Sequence, residues 1–436
     1  MGPAGPDALT PTASAPGTGA SMAALLRQPA FRAFWLANLV SNLGTSAFVL
    51  AINWLTVKQH GPAGIATLAL AYGLPQMLLQ LVGGTASDRL ERRRLFSLTQ
   101  SAMLALALLI LVAALRGPVP LWLLALVNGG NGTISAFDTP ARTALVTDLA
   151  GMTRVAVAQQ LYSLTASVTN IFGPALGGVL LSLGPTARSH EEVAFAFNAL
   201  SFLPLLLCLP WLPRPPRPAA GPPRPGSPER ESFRTSLRAG LAFVRHRPEL
   251  RTLLLLLALV MVLGMPFQGL LPVFVQRHLS LEGGHGFYAA LMAAVGLGSF
   301  AGSLLGLALA ERLRAGWLLA GAAAGLATAV LLLTFSNVVH WASLAAFLAG
   351  ACSNLALSLD NALLQAGTNA AMQGRVNAIA NLTKGLQALS LAAAGYTIHL
   401  LASHFGGIGY QPVQLTLALA LLGGTAWLWP RLDRLS

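Results

Sequence analysis

The stretch that decides the fold is residues 83–94, which read GGTASDRLERRR. It closes one long apolar segment and opens the next, and it places Asp88 and four arginines in the short gap between them. Side chains charged this densely cannot lie in hydrocarbon, so the gap lies at a membrane surface, and the excess of arginine predicts the cytoplasmic side. The rest of the chain can be oriented from this loop.

The composition is that of a membrane protein. The 436 residues are 55% hydrophobic and only 9% charged, with a mean hydropathy of +0.65, which is too apolar for a soluble globular domain. A membrane-spanning helix needs roughly 20 apolar residues, and about twelve such stretches alternate with short polar gaps. Because the alternation typical of barrel strands is absent, we predict an all-α membrane protein with about twelve transmembrane helices.

The net charge of +13 is explained by the same topology, because most arginines fall in alternate gaps between the segments. A nucleic-acid partner is therefore rejected. Both termini are expected in the cytoplasm. Residues 1–20 lack the basic start and apolar core of a signal peptide and are expected to be a disordered tail. The richness in Ala, Leu and Arg, with Lys58 and Lys384 as the only lysines, suggests a bacterial source and hence its inner membrane.

The chain divides into two similar halves. Residues 21–212 hold segments one to six, and residues 252–436 hold segments seven to twelve. Between them, residues 213–232 form a linker rich in proline and arginine, and residues 233–251 are predicted to form an amphipathic helix on the inner leaflet. The second half repeats the first at an offset of about 221 residues, which is typical of a major class of transporters. The substrate path is expected at the interface between the halves.

Polar side chains gather on single faces of several segments, which predicts a bundle interior or a water-filled path. Segment four, near residues 119–137, is the strongest case, because its asparagines continue at helical spacing into Asp138 and Arg142. These faces supply the candidates for a substrate or proton pathway. They are Asn38, Asn42, Asn128, Asn131, Asn170, Asn361, Asn381 and Lys384.

Lys384 stands apart because it lies about ten residues inside segment eleven, roughly 15 Å from the cytoplasmic end. A cation at this depth costs at least about 2.5 kcal/mol. Two interpretations stay open. Lys384 either attracts an anionic substrate or exchanges a proton, or it is a structural, hydrogen-bonded lysine.

The loop motif resembles that of the major facilitator superfamily, in which it joins helices two and three on the cytoplasmic side. Further motifs at the end of segment four and in segment five are similar to one branch of that superfamily, which holds siderophore exporters like the enterobactin exporter and macrolide and multidrug efflux proteins. The motif in segment five resembles the signature of proton-driven exporters. The residues that carry the resemblance are Gly84, Asp88, Arg89, Arg92, Arg93, Asp138, Arg142, Gly173, Pro174, Gly177 and Gly178.

The charged residues of the loop are interpreted as a latch between the halves on the cytoplasmic side. Asp88 would cap the N-terminus of segment eleven, near Arg375, and Arg92 would pair with Asp138. The alternative is that these charges only set the topology. In the second half, Asp360 is expected to pair with Arg312 or Arg314, with a proton-carrying role as the alternative.

These observations predict a secondary transporter, not an enzyme, that exports a small amphiphilic organic molecule in exchange for protons by alternating access. An uptake permease and a non-transporting membrane sensor are the alternatives. No nucleotide-binding loop, metal cluster or catalytic triad is present in the sequence, and Cys208 and Cys352 lie within apolar runs, so neither a cofactor nor a metal is expected. The expected partners are the substrate, protons and lipid, and the protein is expected to be a monomer.

Overall fold

The computed structural model describes residues 18–151, 154–183, 190–212, 242–278, 284–309, 313–368, 370–405 and 409–433. In this part of the chain the secondary structure is helical and contains no strand. Every predicted segment coincides with helix, which confirms the predicted all-α membrane fold.

In the described part of the first half, a short helix, Thr18–Leu26, is followed by five longer α-helices. Segments one and two together form Pro29–Arg89, and segments three to six are Arg92–Arg116, Leu121–Ala150, Val155–Ser182 and His190–Cys208. In the second half, segment seven comprises Pro248–Leu259, a π-helical turn at Val260–Gly264, and Pro266–His278. Segments eight to twelve are Gly284–Leu309, Ala315–Thr334, Val339–Ala366, Ala370–Phe405 and Tyr410–Leu432.

Segments one and two are joined at Gly61 without a loop. Gly61 has φ 62° and ψ −159°, a backbone conformation that glycine adopts readily and other residues avoid. A Cβ on Gly64 would lie 2.7 Å from Thr56 Cγ2, although straight helix would separate the two residues by about 12 Å. The chain therefore reverses at Gly61, and Pro29–Arg89 crosses the membrane twice.

Hydropathy alone does not reveal every crossing. Ten helices in the described part of the chain are long and apolar enough to span a membrane, and one of them, Pro29–Gln80, contains the reversal. Segment four, Leu121–Ala150, is not among the ten, because its asparagines and Asp138 lower its hydropathy. It is 30 residues long and packs against segments two and three, so it is a crossing as well.

The two halves are built by the same helix contacts. Segment four packs against segments two and three, and segment ten packs against segments eight and nine. Glycine makes both contacts close: a Cβ on Gly132 would overlap the carbonyl of Tyr72, and a Cβ on Gly298 would overlap that of Phe347. Small residues thus bring the helix backbones together within each half.

Three boundaries differ from the predictions. Segment four continues beyond residue 137 to Ala150, because Pro140 removes only one hydrogen bond from a helix that is packed against its neighbours. The predicted amphipathic helix, residues 233–251, ends at residue 245, and its last four predicted residues belong to segment seven, which starts at Pro248 because proline lacks an N–H. The first helix begins at Thr18, inside the predicted tail. Residues 1–17, the linker at 213–232 and residues 233–241 lie outside the described part.

Segment seven is interrupted by the π-helical turn. Met265 N donates to Val260 O at 2.9 Å, a step of five residues, and Pro266 follows without an N–H to donate. The carbonyl of Val262 consequently lacks its usual helical donor, and Ser390 Oγ of segment eleven donates to it instead. The turn therefore ties segment seven to segment eleven.

Candidate transport site

The two halves contact each other mainly through segments two and eleven and through segments five and eight. Thr67 Oγ1 lies 3.0 Å from the Tyr396 hydroxyl, and a Cβ on Gly178 would overlap the methyl of Ala289. We call the end of the bundle that holds residues 83–94 the loop end and the opposite one the far end. These contacts lie toward the far end, where the halves are closed against each other.

A cavity of about 480 Å³ lies between the halves, from the middle of the bundle toward the loop end. Its walls come from segment five of the first half and segments seven, eight and ten of the second. A volume of this size suits a small organic molecule. The lining residues are Ser163, Ala166, Ser167, Asn170, Met261, Gly296, Ser299, Phe300, Ser303, Asn354, Leu357, Ser358 and Asn361.

The polar groups of this cavity are amides and hydroxyls. Asn354 Nδ2 donates to Ser299 O at 2.8 Å and also to Ser303 Oγ. Asn361 Nδ2 donates to Leu357 O at 2.7 Å, which leaves its Oδ1 to accept a hydrogen bond. None of the lining residues in the described part of the chain is charged. The cavity can therefore hydrogen-bond a polar organic group, whereas it offers little to a bare inorganic ion.

Two of the pathway candidates, Asn170 and Asn361, line the cavity, and the structure thus brings together residues from opposite halves. The other described candidates lie elsewhere. Asn38 is buried, Asn42 Nδ2 donates to Asn38 O at 2.7 Å, and Asn128 Nδ2 donates to Leu124 O at 3.0 Å.

Asn131 is half-buried and does not line the cavity. The side chains of Asn381 and Lys384 lie outside the described residues, so both interpretations of Lys384 stay open.

A buried polar network joins segments one, three and four. Asp138 Oδ2 accepts from Arg142 Nε at 3.0 Å and Nη2 at 2.7 Å, and Asp138 Oδ1 accepts from Thr99 Oγ1 at 2.8 Å and Gln100 Nε2 at 2.6 Å. Arg142 Nη1 also donates to Asn38 Oδ1. Since Asp138 and Arg142 are only 4% and 7% exposed, each charge depends on these partners.

The predicted pairing of Arg92 with Asp138 is wrong. Arg92 Nη1 pairs with Asp148 Oδ1 at 2.5 Å, ten residues further along segment four. Ten helical residues span about 15 Å, so Asp138 lies much deeper than the start of segment three. Both ion pairs lie within the first half, and neither joins the two halves as the latch interpretation requires.

The remaining loop residues are only partly described. Arg93 Nη1 donates to Leu212 O at 3.2 Å and so joins the start of segment three to the end of segment six. Next to Gly84, the backbone of Gly83 packs against the carbonyl of Ala136. The side chains of Asp88 and Arg89 lie outside the described residues, so the capping of segment eleven by Asp88 stays a prediction.

The glycines of segment five make close helix contacts on two sides. A Cβ on Gly173 would overlap Ser46, and a Cβ on Gly177 would lie 3.2 Å from the Ala47 Cα, both on segment one. The contact of Gly178 with Ala289 faces the other half. Pro174 lies within the helix between these glycines and is buried. These glycines therefore allow segment five to pack closely against segment one on one side and segment eight on the other.

Asp360 does not form the ion pair expected with Arg314. Arg314 is exposed, and both carboxyl oxygens of Asp360 are buried with no hydrogen-bond partner in the part of the chain that the structure describes. Arg312, the other expected partner, lies outside that part.

Sequence reasoning missed the serines of segment eight and the two donors on segment three. Ser299 and Ser303 line the cavity, and they recur at a spacing of four residues that places them on one helix face. Thr99 and Gln100 begin a run of three polar residues that ends at Ser101, in a segment that is aliphatic from there onward, a signal that could have identified them.

Two repeated helical halves with a polar cavity at their interface define a membrane transporter rather than an enzyme. A family model described as transmembrane secretion effector matches residues 20–428. The chain belongs to this family, which is a branch of the major facilitator superfamily, and the resemblance seen in the sequence is confirmed.

Curated relatives and solved structures agree with this assignment. The enterobactin exporter EntS of Citrobacter koseri is 27% identical over 409 residues, covering 92% of this chain and 94% of that protein. The enterobactin exporter EntS of Shigella flexneri is 27% identical over 361 residues, covering 82% of each chain.

The fold is shared with more distant transporters. A bacterial homolog of the human lysosomal transporter Spinster, solved in an inward-facing and unoccupied conformation, matches with a TM-score of 0.71 at 17% identity and covers 93% of this chain and 98% of that one. The nucleoside transporter NupG matches with a TM-score of 0.68 at 12% identity and covers 94% and 99% of the two chains.

Proposed function

We propose that this protein exports a small polar or amphiphilic organic molecule across the bacterial inner membrane in exchange for protons. The cavity between segments five, seven, eight and ten is the observation that carries this proposal. It lies at the interface of the halves, where an alternating-access transporter binds its substrate. The loop end, toward which the cavity lies, faces the cytoplasm in this proposal.

The chemistry of the cavity favours an organic substrate with hydroxyl or amide groups. Asn361 and Asn170 supply amide groups, and the serines of segments five and eight supply hydroxyls, while Met261, Leu357 and Phe300 provide apolar surface. Two of the relatives are named enterobactin exporters, which supports a substrate of the siderophore or drug class for this protein. The export direction is supported by the relatives, which are named exporters.

The packing between the halves supports alternating access. The described contacts close the far end, among them the stacking of Trp54 on Tyr288 with ring centroids 6.0 Å apart. The glycine contacts within each half, by contrast, hold the helices of that half together. We infer that the halves rock as units and open the cavity to one side at a time.

The proposed antiport predicts that export depends on the proton gradient. In cells that express the protein, extrusion of a fluorescent drug or a siderophore should collapse when a protonophore is added. Valinomycin with potassium, which dissipates only the electrical potential, is the control and should leave a substantial part of the extrusion intact. Extrusion at an unchanged rate without a proton gradient would contradict antiport.

The cavity assignment predicts a specific effect of Asn361→Leu. This change removes the free Oδ1 and adds apolar bulk, so the initial export rate at low substrate concentration should fall about tenfold, as expected for one lost hydrogen bond of about 1.4 kcal/mol. Gln365→Leu, an exposed change one helical turn away on the same segment, is the matched control and should stay within about twofold of the original rate. Equal rates in both variants would remove Asn361 from the binding site.

A further inference from the structure

Asp360 is a buried carboxyl group whose surroundings, in the described part of the chain, offer it no hydrogen-bond partner. It lies on segment ten, is 2% exposed, and neither of its oxygens has a hydrogen-bond partner among the described residues. Asp138 in the first half, at 4% exposure, accepts hydrogen bonds from three side chains, Arg142, Thr99 and Gln100. The two buried aspartates therefore have opposite surroundings.

The repeat shows how this difference arises in the sequence. A shift of 222 residues, 360 minus 138, superimposes the two aspartates, close to the offset that relates the halves. At this shift the partners of Asp138 are replaced by residues that cannot stabilise a negative charge. Arg142 becomes Leu364, Thr99 becomes Gly321, and Gln100 becomes Ala322.

An ionised carboxylate at this position would be an uncompensated charge in an apolar environment, which is strongly unfavourable. The neutral acid is the form that these surroundings accept. Asp138, by contrast, has the buried guanidinium of Arg142 as its counter-ion, at 2.7 Å. A proton on Asp138 would leave the buried cation of Arg142 unpaired. A proton on Asp360 would leave no such cation.

The charged groups and histidines on the helices around segment ten lie near the helix ends, while Cys352 lies in the middle of segment ten, about two helical turns from Asp360. Segments seven, eight and nine pack against it. Arg247 donates to Gly367 O at 3.3 Å, at the loop end of segment ten, about two helical turns beyond Asp360. The other charged or titratable groups on these three segments and on segment ten are Glu249, Arg251, Arg277, His278, His285, Tyr288, Arg314, His340 and Cys352. None is recorded as a hydrogen-bond partner of Asp360.

Asp360 lies directly beside the cavity wall. The next residue, Asn361, and Leu357, three positions earlier, both line the cavity. At 100° per residue, Asp360 lies on the adjoining, buried side of the same helix. A rotation or shift of segment ten that accompanies substrate binding would therefore change the access of water to its carboxyl group.

We propose that Asp360 is the proton-binding group of the transport cycle. The carboxyl is neutral in the conformation described here, and it releases one proton to form a carboxylate when movement of segment ten exposes it to water, then takes one up before it is buried again. This inference rests on the proton exchange in the proposed function. It places the coupling site in the second half, beside the substrate cavity, and leaves the buried pair of the first half as a fixed structural element.

Infrared spectroscopy of the purified protein tests the protonation state without any transport. The original protein and Asp360→Glu should show the carbonyl stretch of a protonated, buried carboxyl at neutral pH, with the expected shift in deuterated water, and Asp360→Asn should lack it. Glu249→Gln, which removes an exposed carboxyl in the same half, is the matched control and should retain the band. Because asparagine closely matches a neutral aspartic acid in shape, Asp360→Asn should also keep its melting temperature. A spectrum of Asp360→Asn identical to that of the original protein would overturn the proposal.

Transport in proteoliposomes tests the coupling. With the fluorescent drug or siderophore that the cells export as the probe, Asp360→Asn should still exchange labelled for unlabelled compound, but an imposed proton gradient should no longer accelerate net export. Asp360→Glu and Glu249→Gln should both keep the acceleration. Gradient-driven export by Asp360→Asn at the original rate would overturn the role of Asp360. A second outcome is that the original protein itself shows no gradient-driven export while the infrared band is assigned to Asp360. That result would contradict proton antiport but would still support Asp360 as a protonated, buried carboxyl group.

Discussion

Asp138→Ala is expected to destabilise the protein by about 3–5 kcal/mol, because it leaves the guanidinium of Arg142 buried without its counter-ion. Four hydrogen bonds to Asp138 are lost together, from Arg142, Thr99 and Gln100. The stacking of Arg142 on Phe96, at 5.4 Å from the ring centroid, does not replace a carboxylate. Thermal unfolding of the purified protein in one detergent, followed by tryptophan fluorescence, measures the effect.

The second ion pair between segments three and four supplies the control. Asp148→Ala breaks the pair with Arg92, whose side chain is 38% exposed, and should cost about 1 kcal/mol or less. The double change Asp138→Ala with Arg142→Met should recover a large part of the lost stability, since neither charge is then left alone. If Asp138→Ala and Asp148→Ala lower the melting temperature equally, the buried ion pair stabilises the protein no more than the partly exposed one, which would contradict this prediction.

Gly298→Val is expected to prevent the close packing of segments eight and ten. A Cβ at residue 298 would overlap the carbonyl oxygen of Phe347 and lie 2.8 Å from its carbonyl carbon. Backbone atoms cannot rotate away as a side chain does, so the helices must separate, at a cost of about 3 kcal/mol or more. The separation would also break the hydrogen bonds of Asn354 to Ser299 and Ser303 and so deform the cavity.

The measurements for this variant are its yield of folded monomeric or oligomeric protein after detergent extraction, its melting temperature and its export rate. All three should fall sharply. Gly321→Val is the matched control on segment nine, because a Cβ at residue 321 meets no atom within 4 Å, and it should behave like the original protein. A folded and active Gly298→Val protein would show that these two helices are not held at backbone contact.

The sequence predicts the helices well because each depends on local hydrophobicity. All the segments and the repeat can be read without a structure. Segment four shows the limit: its asparagines and Asp138 make it less apolar than the other crossings, and the periodicity of these polar residues is the clearer sign of its place in the bundle. Its extension to Ala150 was missed, because Pro140 looks like an end when the supporting neighbours are unknown.

Side-chain partners were harder to predict, because they depend on depth as well as on charge. Arg92 and Asp138 have opposite charges, but the way segments three and four are aligned places Asp148, not Asp138, level with Arg92. Asn38 looked like a pathway residue because it shares a polar face, yet the long side chain of Arg142 reaches it in the interior. Asn170 and Asn361 could be named from sequence, whereas their meeting in one cavity depends on how the halves pack.

The buried network has a consequence for how the chain enters the membrane. Asp138 and Arg142 each oppose insertion of segment four by about 2.5–3.5 kcal/mol when unpaired. Their partners Asn38, Thr99 and Gln100 all precede them in the chain and are synthesised first. Segment four therefore reaches the bilayer when segments one and three can already receive its charges. We therefore expect the insertion of segment four to be cooperative, because it depends on polar partners that earlier helices supply.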